Sequence, residues 1–289
     1  MDIVPQLIVN SLIAGSLYAL IAIGFSLIYG VTRFFNLAHG VYAVTAAYAV
    51  FYLAKTLEVN VWISVVAGVV LAALLGLLLE LFIYKPLRTR KASGLVLLVA
   101  SLGAFTAIQA GIAMLFTSQF KTFSGLFENG VVQIGTAAVT YVQIALFACA
   151  VIAVAALWFL LARTLFGRAV RAIADDEEVA KIVGIDTDRA IRGVVLIGAA
   201  LAGVGGVLAG FDIGINPTMG LPLLLKGVIA AIVGGIGNVY GAFLGAFLLG
   251  FAENFGIWHI SGEWKDAIAF VVLILFMLFR PQGILGKKS

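Results

Sequence analysis

Long, uninterrupted apolar runs constrain the fold of this chain more than any other feature of its sequence. Of the 289 residues, 63% are hydrophobic and 11% are charged, whereas soluble domains carry about 25% charged residues. The runs are continuous rather than alternating, which indicates membrane-spanning helices of about 20 residues each and not β-strands. We therefore predict an all-α, polytopic helical membrane protein with a single transmembrane domain over residues 1–289 and about eight to nine transmembrane segments.

Polar interruptions predict where the membrane segments begin and end. Spans are expected over about 5–29, 41–54, 61–84, 95–116, 140–161, 193–210 and 267–280. The stretch 223–256 is apolar but contains GGIGNVYGA, and it is either two full spans or a re-entrant hairpin. Small residues recur at every fourth position from Gly198 to Gly210 and again from Gly237 to Gly245, a spacing that predicts close packing between helices.

Basic residues indicate how the chain is oriented in the membrane. They cluster at 85–91, 163–192 and 280–288. The positive-inside rule puts the three clusters, and with them the C-terminus, on the cytoplasmic side. Because these residues lie at the ends of spans, the net charge of +4 does not indicate nucleic-acid binding.

The longest charged stretch, 163–192, has the features of a short amphipathic helix. Asp175 is a candidate N-cap, and Glu178 stands three residues later at capping-box spacing. Gly184 follows at the position of a C-cap glycine. Apolar residues fall on one face of this helix: Val179, Ile182 and Val183.

Two interpretations of this stretch are open. It is either a charged loop that only fixes the topology, or a docking surface for a partner. A simple connection needs only a few residues. An apolar stripe on a capped helix must bury against something, which favours docking.

The run Glu178-Val179-Ala180-Lys181-Ile182-Val183-Gly184 resembles the EAA-x-x-x-G loop of ABC importer permeases. In that family the loop forms a cytoplasmic coupling helix that docks into a groove of the ATPase subunit. Val179 departs from the first alanine of the pattern. The resemblance implies that the following residues couple the chain to an ATPase: Asp175, Glu178, Val179, Ala180, Ile182, Val183 and Gly184.

Three further motifs extend the resemblance over nearly the whole chain. They are NLAHG at 36–40, GGIG at 234–237 and RPQG at 280–283. Together with the charged stretch they resemble the LivH-type permeases of the branched-chain amino-acid importer family. The resemblance implies a permease subunit that moves branched-chain amino acids, or related amino acids or amides, across the cytoplasmic membrane of a bacterium or archaeon. It also implies four kinds of neighbour: two ABC ATPase subunits, a second homologous permease, an extracytoplasmic substrate-binding protein and membrane lipid.

The sequence indicates that the energy source lies outside this chain. No Walker-type phosphate loop occurs, so no cofactor is expected in this chain, and ATP and Mg should be bound by the partner ATPase subunits. The two histidines, His39 and His259, form no HExxH motif, and the chain is not expected to be an enzyme. The alternative is an ion-coupled secondary transporter of small polar solutes, which would need ionisable residues deep in the spans. Glu80 and Glu253 are the candidates for that role, and Glu80 is expected to pair with the basic cluster beside it.

A polar break between the first two apolar segments is the candidate translocation path. Asn36, His39 and Gly40 interrupt the apolar sequence where little length is available for a loop in water. Polar groups at membrane depth must be satisfied inside the protein or line a cavity. Two interpretations follow: these residues bond the freed backbone at a broken helix, or they line the path. Asn216 and Pro217 are expected to contribute to the path from the outer side.

Overall fold

The structure, a computed structural model, describes residues 3–126, 130–258 and 260–286. Most of these residues lie in helices. The first six helices are α1 Val4–Thr32, α2 His39–Phe51, α3 Val61–Leu79, α4 Lys85–Thr89, α5 Gly94–Phe116 and α6 Tyr141–Arg163, and all of them except the short, basic α4 come from apolar runs. The other six helices are α7 Leu165–Asp175, α8 Glu177–Ile182, α9 Thr187–Ile213, α10 Gly220–Gly234, α11 Val239–Gly256 and α12 Lys265–Phe279. The first two of these, α7 and α8, are short and polar.

Short elements extend or connect these helices. A π-helical turn, Tyr52–Thr56, continues α2, and a second one, Glu80–Tyr84, joins α3 to α4. A two-stranded antiparallel hairpin, β1 Val131–Ile134 and β2 Ala137–Thr140, lies between α5 and α6. A 3-10 turn, Gly262–Trp264, precedes α12. The predicted all-α class is confirmed, and the small hairpin belongs to a connecting loop.

Six helical segments in the described residues are long and apolar enough to cross a membrane: Val4–Thr32, Val61–Thr89, Gly94–Phe116, Tyr141–Arg163, Thr187–Ile213 and Val239–Gly256. The remaining apolar helices α2, α10 and α12 have 13, 15 and 15 residues. A 15-residue helix is about 22 Å long, less than the roughly 30 Å of a hydrocarbon core. The total of eight to nine segments therefore stays a prediction.

The long helices run between two ends of the bundle. We call them the α8 end, where α7 and α8 connect α6 to α9, and the hairpin end, where β1 and β2 connect α5 to α6. At the hairpin end, Lys121 and Ile215 exchange backbone hydrogen bonds of 2.9 and 2.8 Å between nitrogen and oxygen. This pairing ties the loop after α5 to the connection between α9 and α10.

Small residues bring the central helices together. The predicted ridge on α9 is confirmed: a Cβ added at Gly198 would lie 2.7 Å from Ile28 Cδ1 of α1, and one at Gly206 would run into the Ala43 backbone of α2. On α11, a Cβ at Gly250 would lie 2.6 Å from the Ser11 carbonyl oxygen of α1. The core is therefore built on direct backbone contact between α1, α2, α9 and α11.

Stretch 223–256 forms a pair of helices, α10 and α11, that pack against each other through Gly234, Gly241 and Gly245. The α10 N-terminus lies inside the bundle, because Gly220 contacts Gly40 and Val44 of α2. The turn between α10 and α11 is covered by the segment after α12, whose Ile284 and Leu285 nitrogens donate to the Val233 and Gly234 carbonyls at 2.9 Å each. The shorter α10 enters from within the bundle, and α11 is long enough to span.

Candidate functional site

Helix α8 begins after Asp176, so the predicted N-cap at Asp175 is wrong by one residue. Asp176 has an extended backbone (φ −149°, ψ 114°), and its Oδ1 accepts hydrogen bonds from the backbone nitrogens of Glu178 at 2.8 Å and Val179 at 3.0 Å. Asp175 is the last residue of α7. Because α7 stays helical through Asp175, the cap passes to the next aspartate, and the predicted capping box with Glu178 is not formed.

The predicted glycine at the end of α8 is confirmed. Gly184 has a φ of +84°, in the left-handed region that glycine adopts without strain. Its nitrogen donates to the Lys181 carbonyl at 3.1 Å, and the Ile185 nitrogen donates to the Ala180 carbonyl at 3.0 Å. These bonds satisfy the last carbonyls of the helix and reverse the chain toward α9.

The two faces of α8 differ in exposure. Val179, Ile182 and Val183 are 54%, 83% and 69% exposed, and Glu178 beside them is also exposed. Ala180, by contrast, is buried within this chain at 2% exposure. The apolar stripe therefore faces outward as predicted. Ala180 lies on the opposite face, where it packs α8 against the rest of this chain.

Polar contacts connect the helices at the α8 end of the bundle. The Arg33 guanidinium, just after α1, donates to the Ala174 carbonyl of α7. Lys85 of α4 pairs with Asp188 of α9, with 2.7 Å between Nζ and Oδ2. A cavity of about 350 Å³ lies between these elements and is lined by residues including Arg33, Lys85, Glu177 and Lys181. Helix α7 is thus tied to the end of α1, α4 is tied to α9, and α8 lies beside them at the cavity.

The polar break between α1 and α2 is enclosed in the protein, and both the oxygen and the nitrogen of its Asn36 amide are hydrogen-bonded. Asn36 is 1% exposed. Its Oδ1 accepts from the Ala38 nitrogen at 3.1 Å and from the Tyr84 hydroxyl at 3.0 Å, and its Nδ2 donates to the Tyr42 hydroxyl at 3.4 Å. These contacts match the interpretation in which Asn36 satisfies backbone freed at a broken helix.

His39 and Gly40 lie where three helices meet. The His39 ring is fully buried, its Nε2 is 3.2 Å from the Ile21 carbonyl oxygen of α1, and its Nδ1 has no partner among the described residues. A Cβ at Gly40 would lie 3.0 Å from Leu224 Cβ and would overlap Gly220 of α10. In this conformation both residues are core contacts between α1, α2 and α10, and their role in a path stays a prediction.

Asn216 and Pro217 form the turn that leads into α10. The Asn216 Oδ1 accepts from the Thr218 hydroxyl at 3.0 Å, and Pro217 is buried. Gly220, three residues further on, contacts Gly40. The turn therefore lies a few residues from a contact with the polar break, and its contribution to a path stays a prediction.

A buried ion pair at the hairpin end was missed in the sequence. Lys226 of α10 pairs with Glu253 of α11, and its Nζ is 2.8 Å from Asp266 Oδ1 at the start of α12. The Tyr18 hydroxyl donates to Glu253 Oε2 at 2.6 Å. A lone lysine inside the apolar run 221–234 was the available signal, because charged residues within spans are rare and functional.

The second buried carboxylate, Glu80, pairs with Arg88 as predicted. Glu80 is only 1% exposed, and its partner Arg88 lines the cavity at the α8 end, so the carboxylate of this pair is shielded from solvent. It spans the π-helical turn and α4, and holds the end of the 61–89 helix together. Both deep glutamates therefore have cationic partners within the chain.

These features define a class: a helical membrane protein of the permease type with a short, exposed amphipathic helix at one end of the bundle. The family model of the permease component of the branched-chain amino acid transport system matches residues 7–277. Because the match covers nearly the whole chain, the protein belongs to this permease family.

Named relatives agree with the family model. The high-affinity branched-chain amino acid transport system permease protein BraD of Pseudomonas aeruginosa is 36% identical over 298 aligned positions, which cover 98% of this chain and 96% of the relative. The permease protein LivH of Escherichia coli K12 has the same identity and coverage. A probable LivH of Methanocaldococcus jannaschii is 28% identical over 96% of this chain and 91% of its own length.

A solved structure shares the fold. PsaBC from Streptococcus pneumoniae in complex with Fab superposes with a TM-score of 0.50 at 13% sequence identity, covering 98% of this chain and 93% of that chain. At this identity the likeness concerns the arrangement of helices alone.

Proposed function

We propose that this chain is the permease subunit of an ABC importer that moves branched-chain amino acids, or related amino acids or amides, with energy from partner ATPases. Family membership supports the transport class over the ion-coupled alternative. The observation that carries the coupling role is α8, because its apolar stripe of Val179, Ile182 and Val183 is exposed on a helix capped at both ends. Such a stripe is stabilised by burial in a groove of a partner.

The contacts around α8 give a physical route for coupling. Helix α8 directly follows α7, so a displacement of α8 also moves α7. The hydrogen bond from Arg33 to the Ala174 carbonyl of α7 couples this movement to the end of α1. Helix α1 in turn carries the Ile21 carbonyl that contacts His39. Because packed helices move as rigid bodies, a displacement of α8 tilts α1 against the polar break and α10.

Partners complete the transporter. With no phosphate loop in the sequence, ATP and Mg are bound by two ABC ATPase subunits, one of which receives α8. The polar break is enclosed within this chain, so a continuous path needs rearrangement against a second, homologous permease subunit. An extracytoplasmic substrate-binding protein delivers the amino acid and provides much of the selectivity.

Basic residues support the orientation with the α8 end in the cytoplasm. That end carries many of them: Arg33, Lys85, Arg88, Arg90, Lys91, Arg163, Arg168, Arg171, Lys181, Arg189, Arg192 and Arg280. The hairpin end carries Lys55, Lys121, Lys226 and Lys265. This asymmetry follows the positive-inside rule. Residues 287–288, which the third basic cluster includes, lie outside the described residues.

The test places a charge on the proposed docking stripe. Ile182→Asp should abolish copurification of the ATPase and ATP-driven uptake of L-leucine, because a carboxylate cannot be buried unpaired in an apolar groove. Gln282→Glu adds a charge at the same end of the bundle, outside α8, and should leave both intact. Uptake that survives a protonophore but stops without ATP identifies the importer. If Ile182→Asp keeps both the ATPase and the parental uptake rate, the coupling role is wrong.

A further inference from the structure

At the hairpin end, the ends of six helices surround a cavity of about 420 Å³. The N-terminal half of α1, the starts of α6, α10 and α12, and the ends of α9 and α11 all contribute to its wall. The rim reaches water, because Asp266 is 77% exposed and the Lys265 side chain is 35% exposed. A cavity of this size suits a small molecule.

The wall of the cavity is apolar, with charges at separate places. Aliphatic side chains form the wall: Ile13, Leu17, Leu146 and Leu223. Asp212, from the end of α9, is one of the charged residues. In the described part of the chain, its Oδ1 accepts a hydrogen bond of 3.1 Å from Gln143 Nε2. Its partner is thus a neutral amide, and none of the ion pairs among the described residues includes this carboxylate.

Cations lie on the side formed by α10 and α12. Lys226 is held between Glu253 and Asp266, so its charge is already matched. Lys265 lies 3.9 Å from Glu253 Oε2, too far for a hydrogen bond and at the limit of an ion pair. Lys265 is therefore the loosely held cation of the cavity, and Asp212 is the carboxylate that lacks a cation among the described residues.

We propose that this cavity is a transient binding site for the amino acid that enters the permease, with Asp212 receiving its ammonium group and Lys265 its carboxylate. The aliphatic wall takes the apolar side chain, and the Lys226–Glu253–Tyr18 network holds α10, α11 and α1 in place around it. A zwitterion with a branched aliphatic side chain matches a carboxylate, a cation and an apolar wall at once. This inference rests on the proposed function, because it takes the transported solute to be an amino acid.

The test measures occupancy directly on the assembled importer. Ala14 lines the cavity from α1, so Ala14→Cys in a Cys149→Ala background places a thiol in it. The complex is reconstituted in vesicles without the binding protein, and the rate of thiol modification is followed as L-leucine is added. We expect L-leucine to slow the modification. At the same concentration, 4-methylpentanoate, which lacks the ammonium group, and isopentylamine, which lacks the carboxylate, should not.

Variants of the charged residues assign the two ends of the ligand. Asp212→Asn and Lys265→Met should each raise the L-leucine concentration for half-protection about tenfold, the loss expected when a hydrogen bond to a charged group is removed. Glu58→Gln removes an exposed carboxylate at the same end outside the cavity, and it should not change this concentration. Thr122→Cys, in the exposed loop after α5, should react at one rate with or without L-leucine.

Uptake by the same vesicles, with binding protein and ATP supplied, distinguishes a wrong cavity assignment from a wrong importer function. If the parental complex imports L-leucine but L-leucine never protects the thiol of the Ala14→Cys variant, or 4-methylpentanoate protects it equally, the cavity assignment is wrong and the importer assignment stands. If the parental complex imports no amino acid, the proposed function is wrong and the cavity loses its ligand with it.

Discussion

Single residues fix the polar break between α1 and α2. Asn36 joins the backbone at Ala38 to the hydroxyls of Tyr42 and Tyr84, so one amide connects α2 with the π-helical turn before α4. The sequence predicted that Asn36 had to be satisfied inside the protein, because its segment offered no loop into water. It could not supply the partner Tyr84, which is 48 residues away in the chain.

The amide of Asn36 should therefore contribute measurably to stability. Asn36→Leu leaves the Ala38 nitrogen and the Tyr84 hydroxyl without their buried acceptor, and each unsatisfied group costs about 1–3 kcal/mol. Tyr84→Phe removes one donor and should cost less. Thermal unfolding of the purified complex in detergent gives the order: parental, Tyr84→Phe, Asn36→Leu. Equal melting temperatures for all three would contradict the assignment.

At the end of α8, the backbone conformation of Gly184 determines what can replace it. A Cβ at this position would meet nothing within 4 Å, so the obstacle is the φ of +84° and not space. Gly184→Val should misplace the end of α8 and reduce ATPase copurification, because a β-branched residue is strained at positive φ. Gly184→Asn should retain more of it, since asparagine tolerates the left-handed region. If Gly184→Asn loses as much ATPase copurification as Gly184→Val, backbone strain at positive φ is not the cause of the loss.

At the scale of elements, α8 shows where sequence patterns are reliable and where they are ambiguous. The apolar stripe and the closing glycine follow from local rules, and both were predicted. The N-cap was misplaced because Asp175 and Asp176 are adjacent and chemically equivalent as caps. The choice between them depends on where α7 ends, and α7 is held by contacts from outside the segment, such as that of Arg33 with Ala174.

The revised cap gives a second prediction for this element. Asp176→Ala should lower the free energy of opening α8 by about 1 kcal/mol, because the backbone nitrogens of Glu178 and Val179 lose their acceptor. Asp176→Asn should restore the helix, since asparagine is an equally good cap. Hydrogen exchange over residues 177–183 measures the opening of α8 directly. Faster exchange in Asp176→Asn than in Asp176→Ala would exclude a capping role.

Helix packing offers a matched pair of glycines. Gly206→Ala drives a Cβ into the Ala43 backbone, whereas a Cβ at Gly103 of α5 meets nothing within 4 Å. We expect Gly206→Ala to destabilise the bundle by about 1–3 kcal/mol through overpacking. Gly103→Ala should be neutral or stabilise by up to about 1 kcal/mol, because alanine favours the helix. The folded fraction in detergent after heating compares the two, and similar losses would count against close α2–α9 packing.

For the whole molecule, periodicity and composition predicted the class of fold and most helix positions. Helices α3, α5 and α6 fall within a few residues of the predicted spans. The nature of 223–256 was not predictable, because α10 is too short to identify as a span and its N-terminus is set by contact with Gly40 of a distant helix. Lys226 was overlooked for a related reason: its partners Glu253 and Asp266 lie on other helices.

The two ends of the bundle give a prediction for topology. Single cysteines at Ser93, at the α8 end, and at Thr122, at the hairpin end, should react with impermeant reagents from opposite faces of the membrane when Cys149 is replaced by alanine. Both positions are exposed and lie outside the long helices. Whole cells should label Thr122→Cys, and inverted vesicles should label Ser93→Cys. Labelling of both from one face would overturn the orientation.

The covering of the α10–α11 turn has a consequence for biosynthesis. The Val233 and Gly234 carbonyls, at the end of α10, accept hydrogen bonds from the backbone nitrogens of Ile284 and Leu285. About fifty residues of translation, including α11 and α12, separate the acceptors from their donors. Until the ribosome has delivered that segment, these carbonyls lack the two donors that they have in the finished fold. The α10–α11 turn therefore reaches its final hydrogen bonding only when residues 284–285 have been made, and a chain that stops before them must satisfy the last carbonyls of α10 with water instead.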